Sequence, residues 1–572
     1  MGETMAEPIK NVTIVGGGTA GWLAALLLQN GLPAGRQAKI TLIESPNIPT
    51  VGVGEATVPG MPRTLHEAGI SEQDFFKTCN ASFKLGVDFA GWNVDRDGKP
   101  ISYINPFARA PVLDRLDIGV YYADLGAGDL AYTQTMCAST DFINACKAPR
   151  MSGAKDFDRN LKVGFAYHLD AGKFAGLMQT ACKKKGVTHI LDDVQDVELD
   201  ERGHVAALQL ERTGRHPVEL VIDCTGFRGL IINKALDEEF ISYSKYLAND
   251  RAMAVQIPHS DGQKLEPVTR STALGAGWSW RVPLYNRIGT GYVFSSAHRT
   301  DDEAREEYIR HLGPEHKDVE PRVIPMRIGR NRNAWVKNCV AIGLSGGFIE
   351  PLESTAIHMI DTGIRWLVTY FPDNDFAEPL RDHYNRMTGK LYDEVRDFIC
   401  LHYALGNRTD TKYWIDAREE LEVPDSLAEN MEVWRYALPG PYDLPFSSLF
   451  DHATYQAVLL GKRVYETGYA RGKLARGAKL DVNQWKTYVE KVRAQTRQKV
   501  QQACDHRTYL AEMRGEIQPQ TRVGFPGQAP ASGPFGVGPQ ATVALPGTPI
   551  AQLRKGPPSA PKKIEQDDAS LL

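Results

Sequence analysis

The stretch VTIVGGGTAGW, Val12 to Trp22, constrains this chain more than any other. An apolar strand runs through a glycine turn into an apolar helix that begins WLAALLL. Gly16, Gly18 and Gly21 stand in G-x-G-x-x-G spacing, a pattern that is weak alone and specific when a strand precedes it and a helix follows. Gly16 permits the tight turn, Gly18 lets a pyrophosphate approach the backbone, and Gly21 lets helix and strand pack closely. Thr19 and Ala20 open the helix, where free amides and the helix dipole favour phosphate charge. The second strand, KITLIES, carries Glu44 about 20 residues further on, where an acid can accept ribose hydroxyls. A glycine turn without a ligand is the plainer alternative, and both the strand context and the acid weigh against it.

Two later stretches return to the same motif. VELVIDCTGFRG and NCVAIGLSGGF each read as a buried strand running into a glycine turn. Nicotinamide-binding domains usually complete their sheet consecutively, whereas flavin-binding chains often interrupt it and return late, so FAD is the expected dinucleotide. The expected architecture is α/β (α+β): a Rossmann-like FAD-binding domain of the aromatic-monooxygenase type, with an inserted substrate-domain sheet and a mainly helical C-terminal region. Residues 1–9 read as a flexible leader, 10–376 as the FAD module with interleaved substrate-binding segments, and 377–516 as a helical region covering the substrate. Residues 517–572 are rich in proline and glycine and read as a disordered tail, because such a composition buries too little apolar surface to offset chain entropy.

Composition removes several classes. A net charge of −4 carries no basic excess for nucleic acid. The apolar run WLAALLL is too short to span a bilayer and follows a glycine turn rather than a basic leader, so no membrane anchor or signal peptide is expected. The eight cysteines are scattered without a CxxC pair, so neither a metal site nor a disulfide framework is expected, and a reducing cytoplasm is the default.

The chain resembles the flavin-dependent halogenases of the tryptophan-halogenase type. The resemblance rests on GGGTAGW (Gly16 to Trp22), VGVGEATVP (Val51 to Pro59), ASFKLG (Ala81 to Gly86), WSWRVP (Trp278 to Pro283) and EPLESTAI (Glu350 to Ile357). They occur in the family's order between about residue 10 and about residue 510. The glycine motif is shared with many flavoenzymes; the tryptophan motif together with the lysine motif is far more specific.

The resemblance implies roles. Trp278, Trp280 and Pro283 form a wall between a flavin chamber and a substrate chamber, keeping the organic substrate from the oxygenated flavin; core packing is the plainer account of the two indoles. Lys84 receives hypohalous acid, either by hydrogen bonding or as a haloamine; a solvated surface charge is the plainer account of a lysine. An apolar setting would lower its pKa. Glu353 stabilises the cationic arenium intermediate and takes the ring proton. Glu350 is three residues away, and the family motif, which puts the acid directly before the serine, selects Glu353. A carboxylate helping a helix dipole is the plainer account of either. Ser354 links the two chambers and contacts the cofactor. The backbone amides of Thr355 and Ala356 carry the halide, chloride or bromide, although tryptophan-specific members commonly have glycine at the position of Ala356.

Substrate residues depart further. Phe107 keeps an aromatic stacking surface, but Asn105 stands where tryptophan-specific members have histidine. RYALPGPYDLPFSSLF holds no evident clamp for an amino-acid head group. A small electron-rich aromatic, indole-like rather than free tryptophan, is therefore expected. The implied enzyme takes FADH2 from a separate NAD(P)H-dependent flavin reductase by diffusion, and a homodimer is left open. Two other readings stay open: a single-component FAD-dependent aromatic monooxygenase, disfavoured because the turn GLSGG lacks that class's aspartate, and a non-catalytic flavoprotein scaffold, which would leave Lys84 and Glu353 without purpose.

Overall fold

The computed structural model of the chain describes residues 6–48, 54–443 and 449–519. The expected tail beyond Pro519 lies outside the described residues, as does Val51 to Val53 of the VGVGEATVP signature. The first compact unit ends at Thr521.

The glycine-turn strand Asn11–Val15 lies inside a six-stranded sheet. On one side it pairs in parallel with Lys39–Glu44, which pairs in turn with Thr188–Leu191. On the other side it pairs in parallel with Leu220–Asp223, followed by Cys339–Ala341. Both late returns expected from the sequence therefore rejoin this sheet, about 200 and 325 residues after the first strand in chain order. These strands read as apolar runs because helices cover them. The helix Thr19–Gly31 buries Gly21 through Leu28 against the sheet.

A second, seven-stranded sheet carries the substrate-side segments. Its strands run in the order Arg322–Pro325, Arg251–Ile257, Ile288–Phe294, Gly277–Pro283, Thr269–Leu274, Gly86–Val94 and Pro100–Pro106. All neighbours are antiparallel except Thr269–Leu274 beside Gly86–Val94. The tryptophan motif thus forms a central strand, and the strand bearing Asn105 lies at one edge. The lysine motif belongs to a small third sheet, where Ser82–Lys84 and Gly54–Ala56 both pair with Ala166–Asp170.

From residue 378 the chain is mainly helical, led by the 27-residue helix Glu378–Ala404. Near the start of the described chain, Glu7 and Asn374 exchange hydrogen bonds, and Ile9 is buried. The charged run near the end of the helical region forms two helices, Val482–Gln502 and His506–Met513. Asp505 caps the second helix through the Thr508 amide. The break serves the fold, because buried His506 accepts the Phe83 amide at Nε2 (3.0 Å) and donates from Nδ1 to the Leu265 carbonyl (3.0 Å). The C-terminal region thereby pins the strand that carries Lys84.

Candidate active site

The nucleotide turn shows what each glycine is for. Gly16 has φ of 120°, and a Cβ there would fall 2.2 Å from the Cys224 carbonyl oxygen. A Cβ on Gly21 would fall 1.9 Å from the Gly16 carbonyl oxygen, so the helix approaches the strand only with hydrogen at that position. A Cβ on Gly18 would meet nothing within 4 Å. Protein packing explains Gly16 and Gly21 and leaves Gly18 free for another reason. No side chain caps the helix that Thr19 and Ala20 open, so its first amides remain available to an anion. Gly343, in the second return, has φ of 76° and comes so near Ala20 that a Cβ would stand 2.8 Å from the alanine methyl. Glu44 ends its strand beside this turn, its carboxyl lying over Gly17.

Lys84 is fully buried. Its Nζ donates to the Thr57 carbonyl at 3.0 Å and stands 5.3 Å from the centroid of the Phe107 ring. Burial pushes the ammonium down to about 7, against the opposing pull of the Glu353 charge. The solvated-surface account of this lysine is excluded by its burial. Ser82, two residues earlier, donates to the carbonyl of Pro283, so the end of the tryptophan strand and the lysine strand are tied together.

Glu353 is 4 % exposed and has φ of 66°, followed by Ser354 with φ of 63°. Two consecutive non-glycine residues in the left-handed region cost about 1–3 kcal/mol each, a strain that persists only where surroundings enforce it. The turn immediately precedes the helix Ala356–Thr369. Glu353 Oε1 accepts from Asn105 Nδ2 at 2.8 Å, and His402 Nε2 stands 3.4 Å from the same oxygen. His402 is fully buried, stacked on Phe89 at 4.5 Å, and its Nδ1 meets the Tyr103 hydroxyl at 2.9 Å. Burial lowers its pKa while Glu353 raises it. The contact with Asn105, rather than a helix terminus, occupies the Glu353 carboxylate.

Glu350 does something else. Its Oε2 accepts from Asn249 Nδ2 (2.7 Å), the Tyr403 hydroxyl (2.8 Å) and Trp278 Nε1 (2.9 Å). It is a buried brace for the tryptophan strand, and burial raises its pKa. Trp278 and Trp280 do share a face, their ring centroids 6.4 Å apart. Trp280 lies over Gly291 of the neighbouring strand, where a Cβ would fall 2.0 Å from its ring.

Thr355 and Ala356 begin the 14-residue helix Ala356–Thr369, and neither amide finds an acceptor among the described residues. The structure thus gathers Lys84, Phe107, Asn105 and Glu353 in one place, and Gly16, Gly18, Thr19, Ala20, Gly21 and Glu44 in another. Sequence reading missed Gly17, Thr57, Tyr103, His402 and His189. None belongs to the roles assigned from a motif, and His402 and His189 lie far along the chain from the groups they touch. Residues 444–448 of the substrate-side segment lie outside the described residues.

The dinucleotide-type α/β sheet and the second, mostly antiparallel sheet are those of the solved flavin-dependent halogenases, and the chain is an enzyme of that class. The family model described as "Tryptophan halogenase" matches residues 11–476, and the chain belongs to that family. It is 36 % identical over 485 residues to the tryptophan 6-halogenase ThaL of Streptomyces albogriseolus, covering 80 % of this chain and 90 % of that one. The crystal structure of the tryptophan 6-halogenase SttH from Streptomyces toxytricini superposes with a TM-score of 0.82 at 35 % identity, covering 88 % of this chain and 99 % of that one. BrvH, a flavin-dependent halogenase from Brevundimonas sp. BAL3, superposes with a TM-score of 0.77 at 36 % identity, covering 88 % and 99 %. Among the described residues no helix is long and apolar enough to cross a membrane.

Proposed function

We propose that this chain halogenates a small, electron-rich, indole-like aromatic through Lys84 and Glu353, using FADH2 delivered by a separate NAD(P)H-dependent flavin reductase. The observation that carries the reading is the pairing of a fully buried lysine, held near neutrality, with a strained buried carboxylate whose charge it feels. When bound, reduced FAD together with oxygen and chloride or bromide supplies hypohalous acid.

The residues of the chain supply the rest. The free amides of Thr355 and Ala356 hold the halide at a helix start. Lys84 near its pKa is both a hydrogen-bond donor and, in its neutral form, a nucleophile. It holds hypohalous acid by hydrogen bonding, or displaces water from it to form an N–halogen bond. Either way the halogen reaches the ring carbon as an electrophile, and the ring becomes a cationic arenium. Glu353, oriented by Asn105, stabilises that cation and takes the displaced ring proton at a carboxylate oxygen. Trp278, braced by Glu350, and Trp280 form the wall that keeps the aromatic from the flavin, and Ser354 links the two sides. Phe107 offers the substrate a stacking face. The stated activity of the named relatives is on tryptophan, but Asn105 in place of a stacking histidine argues against an anchored amino acid here.

Purified protein supplied with reduced FAD, oxygen and bromide or chloride should give products with halogen isotope patterns by mass spectrometry. Indole should be turned over in preference to tryptophan under identical conditions; a marked preference for tryptophan overturns the substrate reading. Gly18→Val tests the cofactor site cleanly, because the new side chain meets no protein atom near its Cβ. It should keep the wild-type melting temperature and lose FAD affinity.

A further inference from the structure

Beside the nucleotide turn, one histidine is placed to act through Glu44. His189 lies in the strand Thr188–Leu191, parallel to Lys39–Glu44 and opposite Leu42. Residues two apart on a strand share a face, so His189 and Glu44 project to the same side. His189 Nε2 stands 2.8 Å from Glu44 Oε2. A carboxylate only accepts, so Nε2 carries the proton. On its other side the imidazole meets the buried indole of Trp22 edge to face, with ring centroids 5.0 Å apart and planes at 71°. The His189 side chain is 8 % exposed. Its ring is thereby fixed between an indole and a carboxylate.

The carboxylate is fixed from a second direction. A Cβ on Gly17 would fall 2.0 Å from Glu44 Cδ and 2.4 Å from Oε1. Glu44 therefore crosses the turn only because Gly17 has no side chain. With Oε2 held by His189, Oε1 has no hydrogen-bond partner among the described residues, and the side chain is 24 % exposed.

We propose that His189 is a positioning residue that holds Glu44 with one oxygen free for a ribose hydroxyl on the adenosine half of the flavin, and so sets a preference for the dinucleotide over the mononucleotide. This rests on the FAD reading above. It goes beyond that reading by assigning the discrimination to a side chain that acts through Glu44. FMN ends at its phosphate and has no adenosine ribose, so it cannot use the contact.

The test measures the affinity of the full-length protein for oxidised FAD and for FMN by flavin fluorescence, with melting temperatures alongside. His189→Phe keeps an aromatic ring against Trp22 and removes the donor. It should weaken FAD about tenfold, the scale of one hydrogen bond to a charged group, and leave FMN unchanged. His189→Gln, which restores an N–H donor, should recover part of the loss. In a Glu44→Ala background, His189→Phe should cost nothing further, and this cycle decides the matter even where FMN binds too weakly to titrate. The proposal is overturned if His189→Phe leaves FAD affinity intact, weakens both flavins equally, or costs as much without Glu44 as with it. If Glu44→Ala and Gly18→Val also leave FAD binding intact, the cofactor reading itself has failed. If those two weaken FAD and His189→Phe does not, only the role of His189 falls.

Discussion

Two lysines of this chain are equally hidden and differ in what surrounds them. Lys84 and Lys462 are 0 % and 1 % exposed, and burial pushes both ammonium groups down to about 7. Lys462 donates to Asn93 Oδ1 at 2.6 Å and lies 5.7 Å from the ring centroids of both Trp92 and Tyr103. Asn93 is itself held through the Leu405 carbonyl. This is a closed aromatic cage in which a cation finds π faces and one fixed acceptor. Lys84 has one backbone acceptor, one ring and the charge of Glu353. The difference teaches that a depressed lysine pKa marks burial, and that a site is marked by the company the lysine keeps.

The strongest way to break the comparison is to remove each lysine in turn. Lys84→Ala should still let reduced flavin consume oxygen, because the nucleotide turn is untouched, and should give essentially no halogenated product. Lys462→Met should halogenate at close to the wild-type rate. Product by mass spectrometry and flavin oxidation by absorbance, read on the same samples, decide it. Near wild-type halogenation by Lys84→Ala would falsify the proposed mechanism at its centre.

The two glutamates sharpen the same contrast with a smaller effect. Glu353→Gln keeps the shape and the contact with Asn105 and loses the charge that stabilises the arenium and accepts its proton. Product formation should fall by about two to four orders of magnitude, with a residual rate. Glu350→Gln should act on stability, since three donors converge on that carboxylate. A loss of about 1–3 kcal/mol, the cost of disturbing a buried hydrogen-bond network, is expected in thermal or denaturant unfolding. An inactive Glu350→Gln beside an unimpaired Glu353→Gln would reverse the two assignments.

Much of this contrast was legible before any fold was seen, and the reasons are local. The glycine turn and the late strand returns follow from short motifs whose geometry is set by neighbours in the chain, whereas the choice of Glu353 over Glu350 rests on the resemblance to the family motif alone. Lys84, between Phe83 and Leu85, is likewise marked out by the family motif. Lys462 drew no notice, because nothing near GKRVYE announces that a strand more than 360 residues earlier will enclose it. His402 and His189 were missed for that reason too: their partners Glu353 and Glu44 are far off in sequence and come near only through sheet order and helix packing. The helix break before His506 was also unreadable, since its cause is a hydrogen bond to Phe83 across the fold.

The smallest expected effect lies in stability against pH. Lys462 is held near 7 in the folded chain, while an unfolded lysine titrates near about 10.4. Between those values the unfolded chain keeps a proton that the folded chain has released. Stability therefore rises with pH across that window, and the full penalty of the buried amine applies at and below its lower edge. Lys84 carries a shift of the same sign, so the wild type holds two such groups. Lys462→Met replaces the stem with an unbranched apolar chain of similar reach and removes one of them. Its loss also leaves Asn93 without its lysine partner, so the absolute melting temperature mixes two effects and is a poor readout. The slope isolates the charge. Between about pH 7 and about pH 9 the melting temperature of Lys462→Met should climb less than that of the wild type, and Lys84→Met should show the same shallower climb while making no product. Parallel slopes for wild type and Lys462→Met would mean that Lys462 stays charged throughout, its cage doing for the ammonium what water does at the surface. The two lysines would then differ in charge state as well as in company, and the nearness of Lys84 to neutrality would become a property of its site rather than of burial.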